Sequence, residues 1–153
     1  MVIGPEGERG PFPVRLAPFA PGLFMTDATT RQGVIYHNQG EPVDLQHPAT
    51  TGEEIIIYAT GMGPVNDRPQ TGSPAALNMT QTTILTPSVS VGGVNAPVVY
   101  SGLSPGSVGY YQVRVRVPAG GQRGLAVPVK LSIGNVASNI VTTAICDHPC
   151  TAQ

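Results

Sequence analysis

The residues best suited to chemistry lie near the C-terminal end of the chain, where Cys146 and Cys150 enclose an aspartate, a histidine and a proline. Thiolates and imidazole are metal ligands, but a structural zinc site takes four ligands, and only His37 and His47 lie elsewhere to complete it. The same spacing fits a small disulfide loop formed in an oxidising compartment, or free or intermolecular thiols. We predict an intramolecular Cys146–Cys150 disulfide and no metal or other cofactor, with both alternatives left open.

Two further motifs suggest chemistry only superficially. Residues 59–64 (ATGMGP) resemble a phosphate-binding loop, but Pro64 follows the second glycine, and no lysine with a serine or threonine comes after it. The glycines are better explained as positions of positive φ at the exit of a strand. Ser107 lies in GSVG rather than in the GxSxG turn of a serine hydrolase, and the adjacent Glu53 and Glu54 would point to opposite faces of a strand. We therefore predict that the chain is not an enzyme.

Charge and hydropathy exclude two kinds of partner. Eight basic and nine acidic side chains among 153 residues leave no basic surplus for nucleic acid. No apolar run is long enough to cross a bilayer, so we expect no membrane span. The low charge, together with abundant serine, threonine, glycine and proline, is typical of a secreted or surface-displayed β domain and predicts an extracellular or cell-surface location.

The elements that must position any site are short strands. The 19 glycines and 16 prolines interrupt the chain so often that long helices are disfavoured, and residues 75–86 are the only stretch compatible with even a short helix. Strands are predicted at residues 12–17, 23–25, 33–37, 54–60, 88–91, 96–100, 110–117, 126–133 and 139–145. This pattern predicts an all-β fold, an immunoglobulin-like antiparallel β-sandwich of about seven to nine short strands.

Two of these strands carry most of the information about the sheets. In residues 110–117, valines that face a core alternate with polar residues that face solvent or a neighbouring subunit, namely Gln112, Arg114 and Arg116. The three consecutive isoleucines in residues 54–60 predict a central strand covered on both faces. The long loop that follows, residues 62–83, is where we expect variation and binding.

The N-terminal part of the chain predicts a strand without an obvious sheet to join. Residues 1–20 should be extended, and within them Phe12, Val14 and Leu16 alternate with residues of the opposite face over 12–17. We expect three parts: this extended segment with its donated or edge strand, the sandwich over residues 21–145, and a tail over residues 146–153.

Four blocks of sequence resemble a known family. They are PGLF (Pro21–Phe24), IIIYATGMGPV (Ile55–Val65), VSVGGVNAPVVYSGLSPGSVGYYQVRVRVPAG (Val89–Gly120) and AVPVKLSIGNVASNIVTTAI (Ala126–Ile145). Together they resemble the Solibacter-type C-terminal domain, a module at the ends of large secreted bacterial proteins that is similar to IPT/TIG immunoglobulin-like domains. The resemblance spans roughly residues 18–145 and implies an exported, non-catalytic sandwich. The family's function is uncharacterised, so it implies no functional residues. The chain departs from the family in standing nearly alone and in its tail.

These observations predict a non-enzymatic extracellular structural protein, a building block of a surface fibre, filament or adhesive stalk. The strand over residues 12–17 would add to the sheet of a neighbouring subunit, with Phe12, Val14 and Leu16 as its plugs. The expected partners are then further copies of the chain or other surface proteins. The alternative is an extracellular module that binds a polysaccharide or a protein through the 62–83 loop.

Overall fold

The structure is a computed structural model that describes residues 2–5, 7–11 and 13–147. Its strands are β1 (Val2–Gly4), β2 (Gly7–Arg9), β3 (Gly22–Leu23), β4 (Ile35–His37), β5 (Glu54–Thr60), β6 (Ser88–Val91), β7 (Val94–Ala96), β8 (Val98–Leu103), β9 (Tyr111–Arg116), β10 (Gly124–Ile133), β11 (Val136–Ala137) and β12 (Val141–Ile145). Strands β1 and β2 pair only with each other, and the other ten form two five-stranded antiparallel sheets. The predicted all-β sandwich is confirmed, with slightly more strands than expected.

The first sheet is built around β5. Its order is β3–β5–β9–β8, and β4 also pairs with β5, so the predicted central position of this strand is confirmed. Ile55 and Ile57 point into the core, whereas Ile56 and Tyr58 are only half-buried. The two faces of β5 differ because a second sheet covers only the inner one.

The second sheet is built around β10, with the order β11–β10–β6–β7 and with β12 also paired to β10. Its inward residues alternate along the strand, from Val127 through Val129 and Leu131 to Ile133, and all four are buried. The predicted turn at Gly92–Gly93 joins β6 to β7. Buried side chains from both sheets form one continuous core, in which each valine or isoleucine contributes about 1.5–3 kcal/mol.

Residues 75–86 form no helix, in keeping with the β-branched residues that argue against one in this stretch. Instead Gln81 and Thr83 run beside β8, where the Leu103 amide donates to Gln81 O at 2.9 Å and the Thr83 amide donates to Ser101 O at 2.9 Å. Pairing along an open edge satisfies these backbone groups without helical geometry. Gln112, expected to face solvent, is only 5% exposed because the outer face of β9 is partly covered.

The glycine-rich run after β5 has the backbone role predicted for it. Gly61 and Gly63 have φ of +69° and +81°, and Met62 between them is fully buried in the core. Left-handed φ values on both sides of Met62 turn its side chain inward at the strand exit.

Of the segments that the structure describes, none forms a helix that is long and apolar enough to span a membrane.

Candidate functional site

The leading segment, residues 13–17, projects its apolar side chains into solvent. Val14 is 78% exposed and Leu16 is 93% exposed. Phe12, the third predicted plug, lies outside the described residues. Residues 13–17 form no strand within their own chain, because no described strand lies alongside to supply hydrogen bonds. Their role as a subunit interface stays a prediction.

The leading segment is anchored where it enters the sandwich. The amide of Ala20 donates a hydrogen bond to Gly61 O at 3.0 Å. The ring of Phe19 lies between two glycines of the core structure, Gly63 and Gly134, and an added Cβ at either would overlap ring carbons of Phe19. Glycine is required at both positions by this close approach and by their positive φ values. The leading segment therefore departs from a fixed point.

Strand β7 is an open sheet edge. Three other strands have backbone hydrogen bonds along their outer sides. Strand β4 pairs there with residues 41–43, β8 pairs with residues 81–83, and β12 pairs with residues 31–33 and with residue 49. In contrast, no described backbone pairs with the outer side of Val94–Ala96. In an antiparallel ladder closed by the two-residue Gly92–Gly93 turn, the N–H and C=O of Asn95 point away from β6. These two groups can pair with another strand.

The 62–83 loop is anchored rather than free. Met62, Val65 and Ala75 are buried, and Gln81 donates from Nε2 to Asp67 O at 2.5 Å and accepts from the Ala76 amide at 3.0 Å. The exposed part of the loop borders a cavity of about 590 Å³, which is also lined by Ala17, Pro18, Ala20, Val108, Gly109 and Tyr111. The loop therefore keeps a defined shape that could receive a ligand.

A cluster of aromatic residues lies on the outer face of the first sheet. We call it the aromatic groove; it encloses a cavity of about 420 Å³ and is lined by Phe24, Met25, Val34, Tyr36, Tyr58 and Tyr110. The rings of Tyr36 and Tyr58 meet edge to face, 5.7 Å apart at 86°. Those of Phe24 and Tyr110 are 5.3 Å apart at 40°. These contacts hold the rings in place around an open centre.

The hydroxyl groups divide the five tyrosines into two sets. Tyr100 donates to Leu103 O at 3.1 Å, and Tyr111 donates to Gly63 O at 2.6 Å. Burial raises the pKa of the Tyr111 hydroxyl, and burial likewise raises the pKa of Tyr100 although Arg114 lies 5.4 Å over its ring. By contrast, the hydroxyls of the three tyrosines in the aromatic groove make no hydrogen bond within the described part of the chain.

Sequence reasoning missed the aromatic groove, although one signal for it was present. The alternation of β5 places Tyr58 on the face opposite Ile57, and that of β4 places Tyr36 opposite Ile35. In strands of this period, both tyrosines point away from the core. That they meet, with Phe24 and Tyr110 beside them, depends on the pairing of β4 with β5 and on loops from outside the sheet.

Polar contacts elsewhere secure the ends of strands. His37 hydrogen-bonds to Glu53 through Nδ1 and to His47 O through Nε2 at 3.0 Å. Partial burial alone would lower the pKa of His37, but the hydrogen bonds to Glu53 and His47 O and the nearby carboxylates outweigh it and raise the pKa. At the other end, the side chain of Thr51, then Arg123, then the Thr51 amide stabilise the charged carboxylate of Asp147 and lower its pKa to about 2.

The C-terminal cysteines are only partly described. Cys146 is half-buried and its amide donates to Ala49 O at 2.9 Å, which fixes the start of the tail against the sandwich. Cys150 and His148 lie outside the described residues, so the Cys146–Cys150 disulfide stays a prediction. Among the described residues, no three histidine, cysteine or acidic side chains are grouped so as to hold a metal ion.

Comparison with known proteins assigns no family. No protein-family model matches the chain, and neither a curated protein nor a solved structure matches it. The resemblance to the Solibacter-type C-terminal domain therefore stays a prediction from the sequence.

Proposed function

We propose that this chain is a non-enzymatic structural protein of the bacterial cell exterior, an immunoglobulin-like building block of a fibre, filament or adhesive stalk. Subunits would join head to tail when the leading segment of one adds to a sheet edge of the next. The exposure of Leu16, at 93%, is the observation that carries the proposal. A leucine so exposed loses about 1.5–3 kcal/mol of burial energy unless a partner covers it.

The donor side of this contact is supported by pattern and anchoring. Val14 and Leu16 are two residues apart, so in an extended conformation they point to the same side. The fixed departure point at Phe19 and Ala20 reduces the conformational entropy lost when the segment is captured. A contact between two different surfaces of identical subunits need not close on itself, and it generates filaments unless its rotation closes a ring.

The acceptor side is supported by the open edge of β7. Asn95 presents an N–H and a C=O there, and the neighbouring Val99 is an apolar side chain that is 52% exposed. An added strand would take main-chain hydrogen bonds from this edge and cover apolar side chains beside it. Pro97 limits the ladder because it has no N–H, so the contact would be short and its strength would depend on the side chains.

Particle size in solution tests the proposal. The wild-type chain should form concentration-dependent polymers in analytical ultracentrifugation and filaments in electron microscopy. Val14→Ser with Leu16→Ser should leave monomers, because the plugs are gone. The matched control, Arg15→Ser with Ala17→Ser, changes two residues of the opposite face that are also exposed, and it should still polymerise. A wild type that stays monomeric at high concentration, or plug variants that polymerise normally, would refute the proposal.

A proline on the acceptor strand tests the other half of the contact. In Asn95→Pro the lost N–H is one that points away from β6, so the monomer should fold while polymerisation fails. Circular dichroism and thermal unfolding establish that the variant is folded. Normal polymers from folded Asn95→Pro would show that β7 is not the acceptor.

The second candidate function is ligand binding by the 62–83 loop, favoured by the cavity of about 590 Å³ that the loop borders. Glycan-array or pull-down binding that disappears when residues 70–73 are shortened, with particle size unchanged, would support this function. Loss of polymers in the same variant, without any ligand, would count against it.

A further inference from the structure

We propose that the aromatic groove is a binding site for a neutral polysaccharide. The site lies on the outer face of the first sheet, whereas the edge of β7 belongs to the second sheet. It also shares no lining residue with the cavity beside the 62–83 loop. The inference therefore goes beyond the proposed assembly and does not depend on it.

The first argument is the combination of apolar rings with unpaired hydroxyls. A sugar ring has an apolar face of C–H groups and a rim of hydroxyls, so a matching site needs flat apolar surface and a few hydrogen-bonding groups. The groove supplies three phenol hydroxyls without hydrogen bonds in the described structure, on Tyr36, Tyr58 and Tyr110. Tyrosines that serve only to fill space bond internally here, as Tyr100 and Tyr111 do.

The second argument is charge. Among the residues that the structure describes, no charged side chain lines the cavity of about 420 Å³. The adjoining cavity contains one acidic side chain, Asp44. Hydrogen bonds from the amides of His47 and Gln46 lower the pKa of Asp44, so it is ionised at neutral pH. A site with apolar walls, no cation and one carboxylate disfavours acidic polymers and nucleic acid, and suits an uncharged polyhydroxylated chain.

The third argument is shape. The aromatic groove and the neighbouring cavity of about 220 Å³ share Val34 and Tyr36, so the two cavities lie side by side. The second cavity is also lined by Thr26 and Gln32, whose side chains add polar atoms. Two adjacent cavities fit a polymer of several units better than a single compact ligand. A polypeptide segment is less well matched, because this surface is a sheet face and offers no open edge for main-chain pairing.

Binding to soluble polysaccharides tests the proposal. The probes are dextran, laminarin, galactomannan and xyloglucan, with alginate as the acidic comparison, and the measurement is affinity electrophoresis followed by titration calorimetry on the full chain. We expect retention by at least one neutral polymer and none by alginate. Retention by none of the four, or by alginate alone, would overturn the proposal.

Variants locate the site. Tyr110→Ala removes a half-exposed ring and should weaken binding about tenfold, the effect of one stacking contact. Val136→Ala is the matched control, because Val136 is 40% exposed on β11 of the second sheet, and it should bind as wild type. Tyr36→Phe should weaken binding about three- to tenfold by removing one hydroxyl, whereas Tyr100→Phe should not.

The same variants distinguish a second copy of the chain as the occupant. If Tyr110→Ala and Tyr36→Phe leave polysaccharide binding unchanged but reduce particle size in ultracentrifugation, the groove is a subunit interface and the proposal is wrong. Weakened polysaccharide binding at unchanged particle size supports it, whether or not the chain polymerises through β7.

Discussion

Replacing Gly134 by alanine tests how the N-terminal part of the chain is fixed to the sandwich. Gly134 is the first residue of the two-residue turn between β10 and β11 and has φ of +56°. An added Cβ would lie 2.6 Å from Cε2 and 2.9 Å from Cγ of Phe19. The ring has little room to move away, because on the other side a Cβ at Gly63 would lie 2.5 Å from its Cε1.

Two costs add in this variant. Alanine at positive φ costs about 1–2 kcal/mol, offset in part by about 0.4–1 kcal/mol from a less flexible unfolded chain. Overlap with a confined ring adds about 1–3 kcal/mol. We therefore expect Gly134→Ala to lower the free energy of unfolding by about 2–4 kcal/mol. Gly93→Ala is the matched control: it is also in a two-residue turn, with φ of +83°, but no atom lies within 4 Å of an added Cβ, so only about 1 kcal/mol should be lost.

Urea unfolding followed by circular dichroism measures both variants, with the slope m showing whether the unfolding transition is unchanged. A double-mutant cycle isolates the ring contact, because in a Phe19→Ala background the overlap is gone and Gly134→Ala should cost only about 1 kcal/mol. If Gly134→Ala is no more harmful than Gly93→Ala, or costs the same with and without the Phe19 ring, then Phe19 does not hold the leading segment against this turn.

Two further predictions concern polar contacts. The side chain of Asn139 accepts a hydrogen bond from the Leu23 amide at 2.7 Å and donates one to Leu23 O at 3.0 Å, so Asn139→Ala should lower the free energy of unfolding in urea by about 1–2 kcal/mol. The control Asn66→Ala removes one exposed side-chain hydrogen bond and should change this free energy by less than about 0.5 kcal/mol. Equal effects of the two variants would contradict the role of Asn139. The raised pKa of His37 means that its stabilisation is full below pH 6.5 and is lost as pH rises through the folded-state pKa. His37→Gln should therefore cost up to about 1 kcal/mol in mildly acidic buffer and less in alkaline buffer, and a cost that grows with pH would refute the sign.

The strands and the core were predictable because each rests on local pattern. Alternating valines define the inner face of β9, and the pairs Gly92–Gly93 and Gly134–Asn135 mark the turns that close β6–β7 and β10–β11. A period of two is a property of any half-buried strand, whatever it pairs with. The pairing of residues 81–83 could not be predicted in this way, because their partner is β8, which lies elsewhere in the sequence.

The candidate sites also differ in whether local sequence pattern or tertiary structure reveals them. Val14 and Leu16 were identified from the sequence because an apolar alternation with no sheet of its own is visible without a structure. Their exposure and the open edge of β7 became clear only when backbone could be seen paired along the outer sides of β4, β8 and β12. The Cys146–Cys150 disulfide and the role of Phe12 in the subunit contact are predicted from the sequence alone.

The sequence by itself determined that this chain is an all-β sandwich, with the inward residues of its main strands and the places of its turns, because side-chain alternation and glycine geometry act over a few residues. Only the tertiary structure decided which outward residues meet. It gathered Phe24, Tyr36, Tyr58 and Tyr110 around one groove and closed Gly63 and Gly134 on the ring of Phe19. Such contacts join residues far apart in the chain, and strand order and loop path, rather than local pattern, determine them.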